Sequence, residues 1–301
     1  MFDTRLALLA GLFVGTVCYG QIADSTLLDE VEVSQLRGAD DRIQVKGKDL
    51  EFTTGAEGGI EGVVKTFAGV SSRNEMSSQY NVRGGNFDEN LVYINGFEVF
   101  RPFLARSGQQ EGMSIIHPHL VGNILFSAGG FSAEYGDKLS SVLDVQYKRG
   151  EKKLDTKMEA SLTGVNFSST KAGQNWEVLT GLRYRNNALL LNSTDLQSDY
   201  RPVNTDGQIL MRRAYGENWS VEVFGHFAHN RMNQIPQNRK TSFGSLQEAL
   251  QLTVYFDGQE KFGYDTQFMA ARLNQRLRNA SNGYRSFSTT AFHTTEKEIT
   301  D

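Results

Sequence analysis

Cysteine is nearly absent from this 301-residue sequence, which contains only Cys18. That residue lies in an N-terminal segment, MFDTRLALLAGLFVGTVCYGQ, whose apolar run 6–17 is too short to span a bilayer as a helix. The run fits a secretory signal, and small residues precede a cut after Gly20. Cleavage before Cys18, as in a lipoprotein, would need a small residue at position 17, and Val17 disfavours it. Residues 1–20 are therefore predicted to be a signal peptide, and the mature chain has no disulfide to stabilise it.

Proline and long apolar runs are also scarce. The chain has 4 prolines and 30 glycines, a balance typical of many strands joined by tight turns. No later segment reaches 18 apolar residues, so a membrane protein with this sequence would have to be a β-barrel. The formal net charge of −4 provides no basic field and argues against a nucleic-acid partner.

Residues 28–150 are predicted to form a small α+β domain. In GIEGVVKTFAG, apolar residues at helical spacing define one face. They are Ile60, Val63, Val64 and Phe67. Thr53 or Thr54 is the expected N-cap, and Gly69 the expected stop. Asn123–Ser127 and Leu139–Lys148 are predicted strands, and the charged stretch 148–153 marks the end of the domain.

The stretch LVYI-NG-FEVF predicts a β-hairpin, because Asn95-Gly96 is the preferred pair where both turn residues need positive φ. Before it, NVRGG predicts a strand that enters a tight bend at Arg83. An anion site at Arg83 is disfavoured, since no helix start follows as in a phosphate loop. A buried or interfacial ion pair is the favoured role.

Two further motifs leave their roles open. LDEVEVS, residues 28–34, is either an edge strand or a docking strand that adds to another protein's sheet. Pro118 suits the first turn of a short helix that follows His117. His117 and His119 are two residues apart and do not share a helix face, which disfavours a metal site.

After Lys153 the sequence alternates with period two in runs of about 8–12 residues. In one run, Trp176, Val178, Leu182 and Tyr184 share one parity, and Glu177, Gly181, Arg183 and Arg185 share the other. Similar alternation recurs around 158–163, 219–227, 264–270 and 287–291. The pattern favours membrane barrel strands over a soluble β-sandwich, with 192–207 and 230–250 as long polar linkers.

Residues 154–301 supply roughly six or seven such strands, fewer than the ~8 of the smallest closed barrels. The polar end HTTEKEITD has no aromatic terminal strand. Because an open barrel edge stays unpaired in lipid, position 301 is expected to be a fragment boundary.

The order of these motifs resembles the TonB-dependent outer-membrane transporters. The resemblance covers about 28–301 and is most specific at 81–98 and 127–145, NVRGG, NLVYINGFEVF and FSAGGFSAEYGDKLSSVLDV. It implies an α+β plug domain, a small mixed sheet with short helices, followed by the N-terminal part of a transmembrane antiparallel β-barrel of about 22 strands when complete. The implied organisation is a leader at 21–35, a plug at 36–150 and barrel strands at 151–301.

The resemblance also implies partners and sites. The TonB box would bind the TonB protein, and two plug loops would face an extracellular ligand. The TonB-box residues are Asp29, Glu30, Val31, Glu32, Val33 and Ser34; the ligand-facing candidates are Arg73, Asn74, Arg101, Phe103, Arg106 and Gln109. Arg83 and Glu134 are candidates for plug–barrel ion pairs, and Asn86–Asn90 would be a turn between plug strands. No cofactor, metal or catalytic residue is implied.

Such a protein would sit in outer-membrane lipid and import a siderophore, haem, cobalamin, oligosaccharide or peptide. Because the expected leader is short, an N-terminal signalling domain is not expected. The alternative is a non-transporting receptor or adhesin with the same plugged barrel. A secreted β-sandwich glycosidase is disfavoured, because no pair of carboxylates can be chosen by spacing.

Overall fold

The computed structural model describes residues 42–47, 59–72, 78–102, 114–132, 134–189, 198–236, 238–245, 248–255, 258–277 and 283–300. Residues 41–301 make up one compact unit. Within the described ranges, no helix is both long and apolar enough to cross a membrane. The unit contains two parts, a small mixed sheet and a larger antiparallel sheet, which we call the plug and the wall.

The plug is built on five strands in the order β1-β6-β7-β4-β5. These are β1 (Arg42–Lys46), β4 (Asn90–Ile94), β5 (Phe97–Glu98), β6 (Val121–Ser127) and β7 (Ser141–Tyr147). All neighbours are antiparallel except β4 and β7, which run parallel. Strands β6 and β7 confirm the sequence predictions at their positions. The edge strand β1 was not predicted, because RIQVK is too short and polar to stand out.

The predicted hairpin is confirmed at the junction of β4 and β5. Asn95 has φ 53° and Gly96 has φ 72°, the left-handed pair that a type I′ turn requires. The bend after NVRGG is also present. Strand β3 (Asn81–Val82), paired with β2 (Val70–Ser71), ends at Arg83, where φ is 49°. A 3-10 helix, Phe87–Glu89, forms the expected turn before β4, and its capping box joins Asn86 and Glu89.

The predicted helix is present but shorter than expected. Helix α1 spans Ile60–Val64, and its N-cap is Gly59, so the expected cap by Thr53 or Thr54 was wrong. Phe67 lies beyond the last helical turn and still packs against the core. Gly69 has φ 80° but lies four residues after the C-cap Lys65, so the expected helix stop at Gly69 was wrong. A second 3-10 helix, Pro118–Leu120, begins with proline as predicted.

The wall is a seven-stranded antiparallel sheet in the order β16-β15-β12-β11-β10-β9-β8. Its members are β8 (Asp155–Ser161), β9 (Gly164–Ala172), β10 (Trp176–Asn186), β11 (Ser198–Tyr215), β12 (Trp219–Pro236), β15 (Glu260–Arg276) and β16 (Tyr284–Thr300). A separate hairpin, β13 (Arg239–Ser245) and β14 (Glu248–Val254), projects between β12 and β15. The seven wall strands match the expected six or seven, and the β13–β14 hairpin adds two strands that were not predicted.

The predicted linkers 192–207 and 230–250 were largely wrong. Residues 198–207 belong to β11, 230–236 belong to β12, and the β13–β14 hairpin covers most of 237–250, whereas 192–197 lie outside the described residues. These polar stretches form strands because antiparallel neighbours satisfy their backbone groups over the full length of β11 and β12. The low apolar content of these stretches therefore reflects polar side chains on strands. It does not indicate that strand structure is absent.

The two faces of the wall separate by parity, as the alternation predicted. On β10, Trp176, Leu182 and Tyr184 are exposed on the outer face. On the inner face, Glu177 and Arg183 are buried against the plug. Exposed outer-face residues on the other wall strands include Met158, Met211, Val223, Phe227, Met269 and Phe287. An apolar outer face and a polar inner face are the arrangement of a membrane barrel strand.

Candidate functional site: the plug–wall interface

Strand register places inner-face residues of neighbouring wall strands side by side, which creates two charged groups at different levels. One group lies where Arg183 of β10 faces Asp206 of β11. The other lies nearer the short turns, where Glu177, Arg212, Glu222 and Arg272 follow one another across β10, β11, β12 and β15. We call the first the apical anchor and the second the basal ladder.

The apical anchor centres on a buried ion pair. Arg183 donates to Asp206 through Nε at 2.7 Å and Nη2 at 2.5 Å, and the side chains are 6% and 0% exposed. His226 Nε2 lies 3.2 Å from the same carboxylate. The other N–H groups of the Arg183 guanidinium bind the plug backbone. Nη2 donates to the Ser114 carbonyl at 2.7 Å, and Nη1 donates to the Ile116 carbonyl at 2.8 Å.

The carbonyl between these two is held by the next wall strand. Gln208 of β11 donates its amide to the Ile115 carbonyl. Its Oε1 accepts a hydrogen bond of 2.7 Å from the Tyr147 hydroxyl, which in turn accepts one from the His117 backbone N–H at 3.2 Å. Wall side chains therefore bind the consecutive carbonyls of Ser114, Ile115 and Ile116, all of them buried.

The His117 ring fills a hollow that the wall leaves at a glycine. A Cβ added to Gly181 would lie 2.5 Å from His117 Cδ2, so only glycine leaves room for the ring. Burial, with the Arg183 guanidinium, lowers the pKa of His117 to about 3, and the imidazole is neutral. Neither ring nitrogen makes a well-formed hydrogen bond, although the Leu182 backbone lies close by.

Helix α1 reaches the same anchor through Glu61, which is 3% exposed. Burial raises the pKa of the Glu61 carboxyl, and the neighbouring Ser114 hydroxyl and Arg183 guanidinium oppose that rise. The carboxyl thus joins the segment that leads into the anchor to the first helix of the plug. A buried carboxyl of this kind depends on its partners, since an isolated charge there would be very costly.

The basal ladder alternates in charge. Arg212 bonds Glu177 at 2.9 Å and Glu222 at 3.0 Å, and Arg272 lies 3.7 Å from Glu222. These side chains are 10% to 19% exposed, more than those of the apical pair. Each internal member of the ladder has partners on both sides, so the charges compensate one another.

The ladder also binds plug backbone, at the hairpin and at the junction with the wall. Arg272 donates to the Asn95 carbonyl at 2.8 Å, and its guanidinium lies 4.3 Å above the Phe97 ring. Arg212 donates to the Lys148 carbonyl at 3.3 Å. The Gly150 N–H donates to Glu177. The type I′ turn and the end of β7 are therefore fixed to the same row of wall charges.

A third contact joins the plug to the last described wall strand. Arg101 donates to Glu296 of β16 at 2.8 Å, with side chains 33% and 41% exposed. The Phe100 and Phe292 rings pack edge to face at 6.3 Å, although Phe100 remains 80% exposed. This contact is open to solvent, unlike the two charged groups.

The predicted site residues fall mostly outside the described residues. All six TonB-box positions lie there, as do Arg73, Asn74, Phe103, Arg106 and Gln109. Arg101 is the ligand-loop candidate that the structure describes, and it contacts Glu296 of the wall. Its predicted contact with a ligand stays a prediction.

Arg83 and Glu134 both lie on the exposed surface of the plug. The Arg83 side chain runs alongside the glycines at positions 69 and 129. Glu134 is near Tyr135 and Asp144, and it helps to raise the pKa of Tyr135 to about 12, after burial and Asp144. Neither residue has an ion-pair partner among the described parts of the chain, so their predicted pairing with the barrel stays a prediction.

Sequence reasoning missed the residues that hold the plug. Alternation had placed Glu177, Gly181 and Arg183 on one face, but nothing in the sequence assigned that face a partner. The signal that could have identified these residues is the presence of charged residues and a glycine on the inner face. In a plugged barrel, that face has to contact the plug. In the described ranges, no group of side chains is arranged to hold a metal ion.

Comparison with known proteins is consistent with this geometry. Residues 35–142 match the family profile of the TonB-dependent receptor plug domain. No curated protein matches the chain. Among solved structures, BauA, the ferric preacinetobactin receptor from Acinetobacter baumannii, is 11% identical with a TM-score of 0.52, covering 86% of this chain and 47% of that one.

Two further structures are similar at lower scores. The siderophore receptor PirA from Pseudomonas aeruginosa is 14% identical, TM-score 0.49, over 86% of this chain and 49% of that one. The outer membrane transporter YddB from Escherichia coli is 12% identical, TM-score 0.47, over 85% and 48%. The chain thus spans about half the length of the structures it matches.

A small mixed sheet bound to the polar face of an antiparallel wall is the architecture of a plugged barrel. The profile match assigns residues 35–142 to the plug domain of TonB-dependent receptors, and the fold of the described chain is similar to that of BauA.

Proposed function

We propose that the protein is an outer-membrane receptor that binds a scarce extracellular ligand and imports it with energy delivered by TonB. The observation that supports this most directly is the attachment of the plug to the wall at separate levels through its backbone. A plug held by specific hydrogen bonds keeps the barrel closed at rest, and energy from a partner is then needed to release it.

The proposed localisation is the outer membrane, reached by cleavage of residues 1–20. The exposed outer face supports it, since Trp176, Leu182, Tyr184 and Phe227 would otherwise place large apolar groups in water. The proposed ligand is a small molecule captured from outside the cell, and siderophores are one candidate class. Ligand-facing positions 73, 74, 101, 103, 106 and 109 remain part of this proposal.

The proposed contact with TonB is strand addition by Asp29–Ser34. Replacing Val31 with proline removes a backbone donor from that strand, whereas Val31→Thr keeps the donor and the β-branched shape. We expect Val31→Pro to weaken binding of purified chain to the periplasmic domain of TonB at least tenfold, measured by calorimetry. Equal affinity for both variants would contradict energy coupling through this segment and favour the non-transporting receptor.

A further inference from the structure

The apical anchor recognises backbone. Arg183 and Gln208 donate to the carbonyls of Ser114, Ile115 and Ile116. Among these residues only Ser114 has a polar side chain, and its hydroxyl accepts a hydrogen bond from the Ile116 N–H within the segment. Main-chain acceptors are common to every peptide, and recognition through them provides affinity without demanding one sequence. The wall residues at this level therefore have the donors of a peptide-binding surface.

The hollow at Gly181 adds a requirement for shape. It holds the His117 ring, which is fully buried and makes no well-formed hydrogen bond through either nitrogen. Since the ring contributes no polar contact of good geometry, the hollow selects a flat side chain at the position after the bound carbonyls. Any Cβ at residue 181 would occupy that space.

The surface is also balanced in charge. Asp206 takes two hydrogen bonds from Arg183, which leaves the guanidinium's other donors for a neutral acceptor. A ligand carboxylate would have to compete with Asp206 at close range, whereas peptide carbonyls fit beside it. The chemistry favours an uncharged backbone over an anionic ligand.

We propose that Gly181, Arg183, Asp206 and Gln208 constitute a peptide-binding site. At rest the plug's own segment Ser114–His117 occupies it, and a peptide ligand takes its place when that segment is withdrawn. The inference rests on the proposed function, because import requires the plug to move, and it specifies the ligand class as a short peptide, bent as Ser114–His117 is, with a flat side chain.

The test uses the full chain in detergent with the segment displaced. Ile115 is fully buried, so Ile115→Asp places a charge in the interface and expels the segment while leaving the wall unchanged. The probe is a fluorescein-labelled peptide of sequence Ser-Ile-Ile-His-Pro, followed by fluorescence anisotropy. We expect it to bind Ile115→Asp at least tenfold more tightly than the unaltered chain, whose site is filled.

Matched variants identify the site. Adding Arg183→Met to Ile115→Asp should abolish binding, whereas adding Arg213→Met should not, because Arg213 lies exposed on the outer face of β11. A peptide with alanine in place of histidine should bind several-fold more weakly. If Ile115→Asp does not fold, His117→Ala empties the hollow more gently and is titrated in the same way.

Absence of binding to the displaced variant, or binding that survives Arg183→Met, would overturn the proposal. The titration contains no TonB, so its failure leaves energised import intact. Conversely, if the Val31→Pro variant bound TonB with unchanged affinity, the measured affinity of the labelled peptide for the chain would not be affected.

Discussion

The apical anchor and the basal ladder both tie the plug to the wall through buried charge, but they differ in redundancy. At the apical level, Arg183 has one carboxylate partner and both side chains are almost fully buried. In the ladder, Arg212 has two carboxylate partners, Glu177 and Glu222. Loss of Asp206 therefore leaves Arg183 without a carboxylate partner, whereas Arg212 keeps one carboxylate when Glu177 or Glu222 is lost.

Because of this difference, the apical anchor and the basal ladder are suited to different functions in holding the plug. The apical anchor is specific and fragile, because removing one group exposes several unsatisfied ones in a dry environment. The ladder tolerates loss and holds the turn at Asn95 and the junction at Lys148, where the plug joins the wall. A plug that has to be released and returned would break at the anchor and remain attached at the ladder.

Asp206→Asn should have the largest effect. It leaves Arg183 as an uncompensated buried charge, a loss of about 3–5 kcal/mol. Amide hydrogen exchange in segment 114–120 of the solubilised chain should then accelerate by roughly a hundredfold or more, since each ~1.4 kcal/mol is a factor of ten.

Glu222→Gln in the basal ladder is the matched control. Arg212 keeps Glu177 at 2.9 Å, so exchange in 114–120 should change little. If both substitutions accelerate exchange equally, the two levels are one cooperative network and the proposed difference between them is wrong.

Gly181→Ala tests the hollow and should have an intermediate effect. The new methyl group would lie 2.5 Å from the His117 ring, and relieving that overlap costs about 1–3 kcal/mol. Urea unfolding should show the loss, and adding His117→Ala should restore most of it. Gly225→Ala is the control, because its nearest heavy atom lies at 3.4 Å. If Gly181→Ala were as stable as Gly225→Ala, the His117 ring would not be tightly packed against residue 181.

The predictable parts of the structure were those determined by local sequence. The Asn95-Gly96 turn follows from the φ values that only certain residues adopt, and the wall follows from alternation along each strand. The apical anchor depends on Ser114 meeting Arg183, residues 69 apart in the chain, and Ile115 meeting Gln208, 93 apart. No local pattern encodes such pairs, so sequence identified the inner face but not its partner.

The errors have the same origin. The predicted linkers 192–207 and 230–250 rest on their polar composition, and within them 198–207 and 230–236 form strands. Their inner-face residues include Asn204, Asp206 and Asn230, each buried in the folded chain. Polar content there reflects contact with a polar interface, which only the assembled fold reveals.

Arg101→Ala should have the smallest effect on stability, and it tests whether the third contact resembles either charged group. The Arg101–Glu296 pair is 33% and 41% exposed, so solvent screens it and its contribution is about 0–1 kcal/mol. A double-mutant cycle with Glu296→Ala, read by urea unfolding, should give a coupling energy within that range. A coupling of several kcal/mol would place this contact with the apical anchor. A coupling energy near zero means that Arg101 can leave Glu296 and bind a ligand at little energetic cost. Its position in the predicted ligand loop requires this.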